Sequence, residues 1–450
     1  MNEKSKLLTN SARYEALKKI YLSSLDIRCN GNRHELRDLK TPAIISAHQL
    51  LEQWVTGSYL NPQEAPFQIL DFFSGCGGAT LGFASLNMAY PLVKILGGFD
   101  IDKEALTTFQ KNFDAPGIEV DIRELHRGRA LETLVEKLNG YDPRKPLILI
   151  GCAPCQGFTS HRKKNWSVED ERNSLVGIFA KLAVKLNPLA IIMENVPEMF
   201  SVRYWKYYQV VKTTLNRAGY TLKQGIFNAA EYGVPQERFR ALIVAMRKNF
   251  IMPQPILTPE LFMTVKDAIG KLPPVEPGDF WKKDLLHRSA KHRASTVRTI
   301  RAIPKNGGSR PYGVGPKCLD KIKGFYDVYG RLAWDKPAIT ITHYARNPAS
   351  GRFVHPEQNR GLTIREAALL QSFPNKFQFI GSFDSIFKQI GEAVAPKFAA
   401  AVAVNIIIEL LSEEPNTTIS NIEKSGLFQH PINNSYSSVI AGIKMGRHKK

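Results

Sequence analysis

The chain has 450 residues, too many for one small domain, and its hydrophobic and charged fractions of 43% and 23% are those of an ordinary globular protein. Five cysteines (Cys29, Cys76, Cys152, Cys155, Cys318) are too sparse and odd in number for a disulfide framework. The net charge of +20, from 61 basic against 41 acidic residues, favours a polyanionic partner, with a solubilising surface as the plain alternative. The first twenty residues carry charge without an apolar core segment, and the longest apolar run, 399–411, contains Asn and Glu and is too short to span a bilayer. A cytoplasmic protein with no membrane partner is therefore expected.

Residues 1–65 are expected to form a polar, mostly helical extension, since "ARYEALKKIYLSSL" and "AIISAHQLLEQWV" have helical spacing. From Phe67 short apolar runs alternate with helical patterns: "FQILDFF", "LVKILGGFD", "LILIGC", "LAIIMENV" and "RFRALIVAM". That rhythm predicts an α/β fold with a doubly wound, mostly parallel sheet over 66–250. Past Met246 it breaks into a Pro-rich stretch and then 281–310, which holds nine Lys or Arg and one Asp without a sustained apolar stripe. A smaller, irregular domain is expected over 251–375, where the basic stretch suits phosphate and base-edge contacts. "GEAVAPKFAAAVAVNIIIELL" reads as one long buried helix, so that 376–411 returns to the first domain. A polar, basic tail follows over 412–450.

Functional residues of such sheets gather at the carboxyl ends of strands. "DFFSGCGGATLGF" follows a strand and opens a helix, and its Gly75, Gly77 and Gly78 admit close approach of a ligand. It lacks the third glycine of the dinucleotide pattern. Asp100 ends the next strand and Asp121 the third, so the three strand ends together describe a nucleoside pocket; Asp121 is equally suited to cap a helix. Cys152 and Cys155 admit three readings: a redox pair, half of a metal site, or a nucleophile beside a packed bystander. No second ligand pair accompanies them, which disfavours metal. Glu194 ends an apolar strand and is a candidate proton donor, or else an ion-paired or capping residue. Arg238 and Arg240 alternate with Phe239 and are placed on one strand face.

The stretches "DFFSGCGG", "GCAPCQGF", "MENV", "YGVPQERFRALIVA", "RGLTIREAALLQSFP" and "IGEAVAP" resemble, in this order, the motifs of cytosine-C5 DNA methyltransferases over roughly residues 67–411. The resemblance implies a class I, Rossmann-like fold, S-adenosylmethionine as cofactor, duplex DNA as substrate, no metal, and a target-recognition segment where the basic stretch lies. It implies Cys155 as nucleophile toward cytosine C6 and Glu194 as the group that holds and protonates N3. Arg240 would contact the base and brace the acid, with Arg238 in support. Phe73 would stack on adenine, Asp100 hold the ribose and Asp121 reach the adenine amino group, while the loop of Gly75, Gly77 and Gly78 faces the methionine moiety. Gln156, Ser160, Arg162 and Lys163 after the nucleophile, and Arg293, Arg298 and Arg301 in the basic segment, are expected on DNA. The last motif departs from the common Gly-Asn-Ala-Val-Pro-Pro: Glu392 replaces the amide and Ala395 the first proline, although Glu392 keeps a place in the expected cofactor site. A tRNA methyltransferase of the same family is the nearest rival, and a dithiol oxidoreductase on Cys152 and Cys155 is the rival from another class. A monomer associated with the nucleoid is expected.

Overall fold

A computed structural model of the chain describes residues 40–53, 61–89, 91–154, 171–321 and 327–411. Seven strands form one sheet: β1 (Phe67–Phe72), β2 (Val93–Asp100), β3 (Gly117–Glu119), β4 (Leu147–Gly151), β5 (Ala190–Asn195), β6 (Thr221–Asn228) and β7 (Phe239–Met246). Their order is β3-β2-β1-β4-β5-β7-β6, with β7 antiparallel to both of its neighbours and the other pairings parallel. Strands β1 and β4 at the sheet's centre are buried along their whole length, and mostly apolar, because both faces are covered, as in parallel sheets generally. Successive residues divide between the faces. Ile69, Ile148, Ile150 and Val244 pack with helices α1 (Lys40–Glu52), α2 (Gly78–Ala84) and α9 (Pro396–Leu411). Leu70, Leu149, Ile191 and Ile243 pack instead with α4 (Leu175–Leu186) and α5 (Trp205–Arg217).

A third cluster joins the sheet to the later part of the chain. Phe109 and Phe113 of α3 (Lys103–Phe113) meet Leu370 of α7 (Ile364–Leu370), Phe377, and Phe387 and Ile390 of α8 (Phe383–Glu392). The basic stretch is more ordered than its composition suggests. It contains a hairpin, β8 (Phe280–Trp281) with β9 (Asp284–Arg288), and helix α6 (Ala294–Arg301). That helix is short and anchors itself through Ile300, which packs with Ile303 and Val354, too few contacts to leave a periodic stripe.

Two other expectations are corrected. The long final helix is two, because Ala393 is extended (φ −65°, ψ 148°) and Pro396 restarts the chain as the first residue of α9. Strand β6 was not among the predicted strands, since as the sheet's edge it is only partly buried and lacks the apolar run.

Helix α1 is tied to α9 through His48, whose Nε2 donates to the Lys397 carbonyl at 2.8 Å. Burial first, and then the Lys397 charge, lower the His48 pKa to about 3. Between pH 3 and 6.5 the unfolded chain therefore binds the proton and the folded chain does not, so stability rises with pH across that window. His48→Gln should flatten this dependence: between pH 7.5 and 5 its melting temperature should fall less than that of the wild type.

Candidate active site

Strand β1 ends in a turn where Phe73 takes φ 58° and lies half-buried, 6.4 Å from the Phe179 ring. Gly77 caps α2, and only a glycine fits there: a Cβ would sit 2.2 Å from the Phe113 ring. Gly78 opens the helix against the Val394 carbonyl. Gly75 faces open space, and its N–H donates to Asp100 Oδ2 at 2.8 Å. The other Asp100 oxygen accepts from the Ile101 and Asp102 amides. Burial nevertheless raises the Asp100 pKa. Beneath the turn, buried Asp71 accepts from Thr80 Oγ1 at 2.6 Å, and burial raises its pKa to about 7. Its Oδ1 meets no hydrogen-bond donor among the described residues.

The Val120 amide donates to the Asp100 carbonyl, which brings the β2 and β3 ends together. Asp121, just past β3, caps the following turn through the Arg123 amide and also binds the Arg123 guanidinium, which lowers its pKa. The capping role is thus filled, and the Arg123 guanidinium occupies the same carboxylate. Glu392 is exposed at the end of α8. Four residues earlier, Lys388 reaches Asp102 Oδ2 at 2.5 Å. Burial would lower the Lys388 pKa, but the hydrogen bond to Asp102 and the charges of Glu392, Asp102 and Asp100 outweigh it and raise the pKa.

At the exit of β4 the Cys152 amide donates to the Phe72 carbonyl. Burial, followed by the Glu194 and Asp71 charges, pushes the Cys152 thiol well above its ordinary value. A thiol so held is not a thiolate near neutral pH, which weighs against a dithiol pair. The Ala153 carbonyl accepts from Asn195 Nδ2 at 3.1 Å, tying the strand exit to the end of β5. There Glu194 Oε1 lies 2.8 Å from Arg240 Nε, with the side chains 13% and 11% exposed. The approach is off the N–H direction, so the contact is an ion pair rather than a directed hydrogen bond. Arg240 Nη1 also donates to the Phe239 carbonyl. Cys155, Gln156, Ser160, Arg162 and Lys163 lie outside the described residues.

Arg238 and Arg240 do different work despite their alternation. Arg238 is buried and donates to the carbonyls of Ile341, Gly391 and Ala393, so it clamps the α8–α9 break against the start of β7. Gln236 adds to that clamp, donating to the Leu370 carbonyl and accepting from the Ile341 amide.

Residues 67–408 match the family of C-5 cytosine-specific DNA methylases. The chain belongs to that family. It is 33% identical to a Type II methylase of Herpetosiphon aurantiacus, M.HgiDII, over 75% of this chain and 94% of the relative. It is 32% identical to the Type II methyltransferase M1.HphI of Haemophilus parahaemolyticus, over 75% of this chain and 86% of that one. The solved structure of a candidate DNA modification methyltransferase from an Escherichia coli prophage shares the fold, with a TM-score of 0.58 and 22% identity over 77% of this chain and all of that one. The chain is thus a DNA cytosine-C5 methyltransferase with the Rossmann-like sheet of its class.

In this methylase Arg293, Arg298 and Arg301 are exposed, Arg293 capping α6 and the others in its last turn. Two residues beside the expected nucleoside pocket have no place in the sequence-based expectations. Ile101 is 71% exposed directly after Asp100 and presents an apolar side chain at the β2 end. Lys388 is shared among the acids around the pocket. Its spacing of four from Glu392 on a helix was the available signal.

Proposed function

We propose that this methylase transfers a methyl group from S-adenosylmethionine to C5 of a cytosine flipped out of duplex DNA, through a bond from Cys155 Sγ to C6. The observation that carries the reading is the Glu194–Arg240 ion pair at the β5 end, joined by Asn195 to Ala153, two residues before Cys155.

The donor supplies an electrophilic methyl group. The site fits it: open space over Gly75, a carboxylate at the β2 end, and the apolar side chains of Phe73 and Ile101 suit a nucleoside with a charged tail. Asp100 would hold ribose hydroxyls with its remaining lone pairs, and Asp121 would accept from the adenine amino group. Gly75, Gly77 and Gly78 border the methionine moiety, and Lys388 keeps Glu392 from presenting a bare negative charge to it.

Cytosine C5 is a poor nucleophile. Cys155, once its thiol proton is lost, adds to C6 while Glu194 delivers a proton to N3, and the C4–C5 bond becomes an enamine. C5 then takes the methyl group, its proton passes to water, the thiolate leaves as the C5–C6 double bond re-forms, and the N3 proton returns to Glu194. Arg240 holds the acid in place, and Arg238 acts one step removed by fixing the strand that carries Arg240. The base must leave the stack to reach Cys155, as for other enzymes that act on a base. Gln156, Ser160, Arg162 and Lys163 would close on the duplex after Cys155. We further propose that the protein acts as a monomer, with 281–310 in its target-recognition segment, and serves as the modification half of a restriction–modification pair like its Type II relatives.

The experiment is methyl transfer by purified protein to duplex DNA and, separately, to tRNA, with bisulfite sequencing of both products. The expected result is 5-methylcytosine at one defined duplex sequence and background levels in tRNA. Transfer confined to tRNA would overturn the reading.

A further inference from the structure

Tyr312 takes no part in the chemistry above, yet it is 87% exposed, the most exposed of the large apolar and aromatic side chains among the described residues. It stands on the turn 310–316, which is held rigid from inside. Arg310 Nη1 donates to the Val314 carbonyl at 2.7 Å and to Asp320 Oδ1 at 2.8 Å, with the paired side chains only 9% and 13% exposed. Gly315 takes φ 79° and seats the turn on α6, where a Cβ would meet Thr299 Cγ2 at 2.8 Å. Thr299 is itself fixed by donation to the Ser295 carbonyl at 3.1 Å.

Between turn and helix runs an open groove of about 490 Å³, lined by Ser295, Thr296, Arg298, Val314, Pro316 and Tyr329 among others. Its walls offer hydroxyls, one guanidinium and backbone, and no carboxylate. This donor-rich chemistry does not suit a cation or a basic peptide. It does suit base edges: a guanidinium fork matches guanine O6 and N7, hydroxyls serve as donor or acceptor, and apolar surface meets the thymine methyl. A rigidly mounted aromatic loses little conformational freedom on contact, which favours recognition.

We propose that this groove, together with Tyr312 on the turn that forms one of its walls, is the base-reading subsite of the methylase, contacting base pairs beside the target cytosine. The proposal rests on the duplex-DNA reading above. It gives Arg298 a role in sequence readout, whereas Arg293 and Arg301, which do not line the groove, are left to phosphate.

The test uses the full chain and a library of duplexes randomised around the methylated site, read by bisulfite sequencing, together with the salt dependence of duplex binding. Tyr312→Ala should reduce the preference for the best site over its nearest variants roughly tenfold. The log–log salt slope and the melting temperature should not change, because the side chain stands in solvent. Gly315→Ala, which must push the turn off α6, should shift preference in the same direction without deleting a contacting side chain. Arg293→Gln with Arg301→Gln should lower the slope by about 0.9 for each lost phosphate contact and leave preference intact. Wild-type preference in Tyr312→Ala overturns the subsite alone. So does uniform weakening with a lower slope, which marks a phosphate contact only. A wild type that methylates tRNA and no duplex overturns the subsite together with the reading beneath it.

Discussion

Cys155→Ser should lower methyl transfer to duplex DNA by at least about a thousandfold, the scale on which removal of a nucleophile is felt. A thiol is partly ionised near neutral pH and intrinsically nucleophilic, whereas a serine hydroxyl is neither. The loss should appear in the rate and not in duplex affinity, since the substitution leaves the DNA-facing groups in place. Cys152→Ser is the control. Burial pushes the Cys152 thiol well above its ordinary value, so it has no thiolate to lose. This variant should retain transfer per folded molecule while melting at a lower temperature, from the cost of a buried hydroxyl. Equal loss from both substitutions would instead support a dithiol mechanism.

Glu194→Gln should lower the transfer rate by roughly a hundredfold or more, the usual contribution of a positioned proton donor. The amide keeps the size and a polar head but cannot deliver the proton to N3. It also leaves Arg240, 11% exposed, without its counter-charge, and some destabilisation is expected from that. Rate per folded molecule separates the two effects. Arg240→Met removes the bracing cation and should lower the rate while Glu194 remains. If Glu194→Gln is destabilised yet fully active per folded molecule, Glu194 is a structural partner of Arg240 and the proton comes from elsewhere.

Much of this was legible in the sequence because the sheet is buried on both faces. Apolar runs such as "LILIG" and "AIIM" announce strands without reference to the rest of the fold, and chemistry gathers where they end. Strand β6 stayed hidden because an edge strand needs no such run. The break between α8 and α9 was signalled by Pro396 but masked by continuous apolar composition, which comes from burial of α9 rather than from helix continuity. The separate tasks of Arg238 and Arg240 were not legible, since Arg238 bonds backbone carbonyls 103 to 155 residues away and no local pattern records such partners. The exposure of Ile101 and Tyr312 was invisible for a related reason: an apolar residue is expected to be buried until the fold shows that it is not.

Covalent trapping tests the central claim most directly. Duplex DNA carrying 5-fluorocytosine at the methylated position places fluorine where a proton must leave after methyl transfer, so elimination is blocked and the Cys155–C6 bond should persist through denaturation. The adduct should require S-adenosylmethionine, disappear in Cys155→Ser and survive in Cys152→Ser. Peptide mapping should place the crosslink on Cys155. Methylation of ordinary duplex DNA without any trapped adduct, or a crosslink mapped to another residue, would contradict the account.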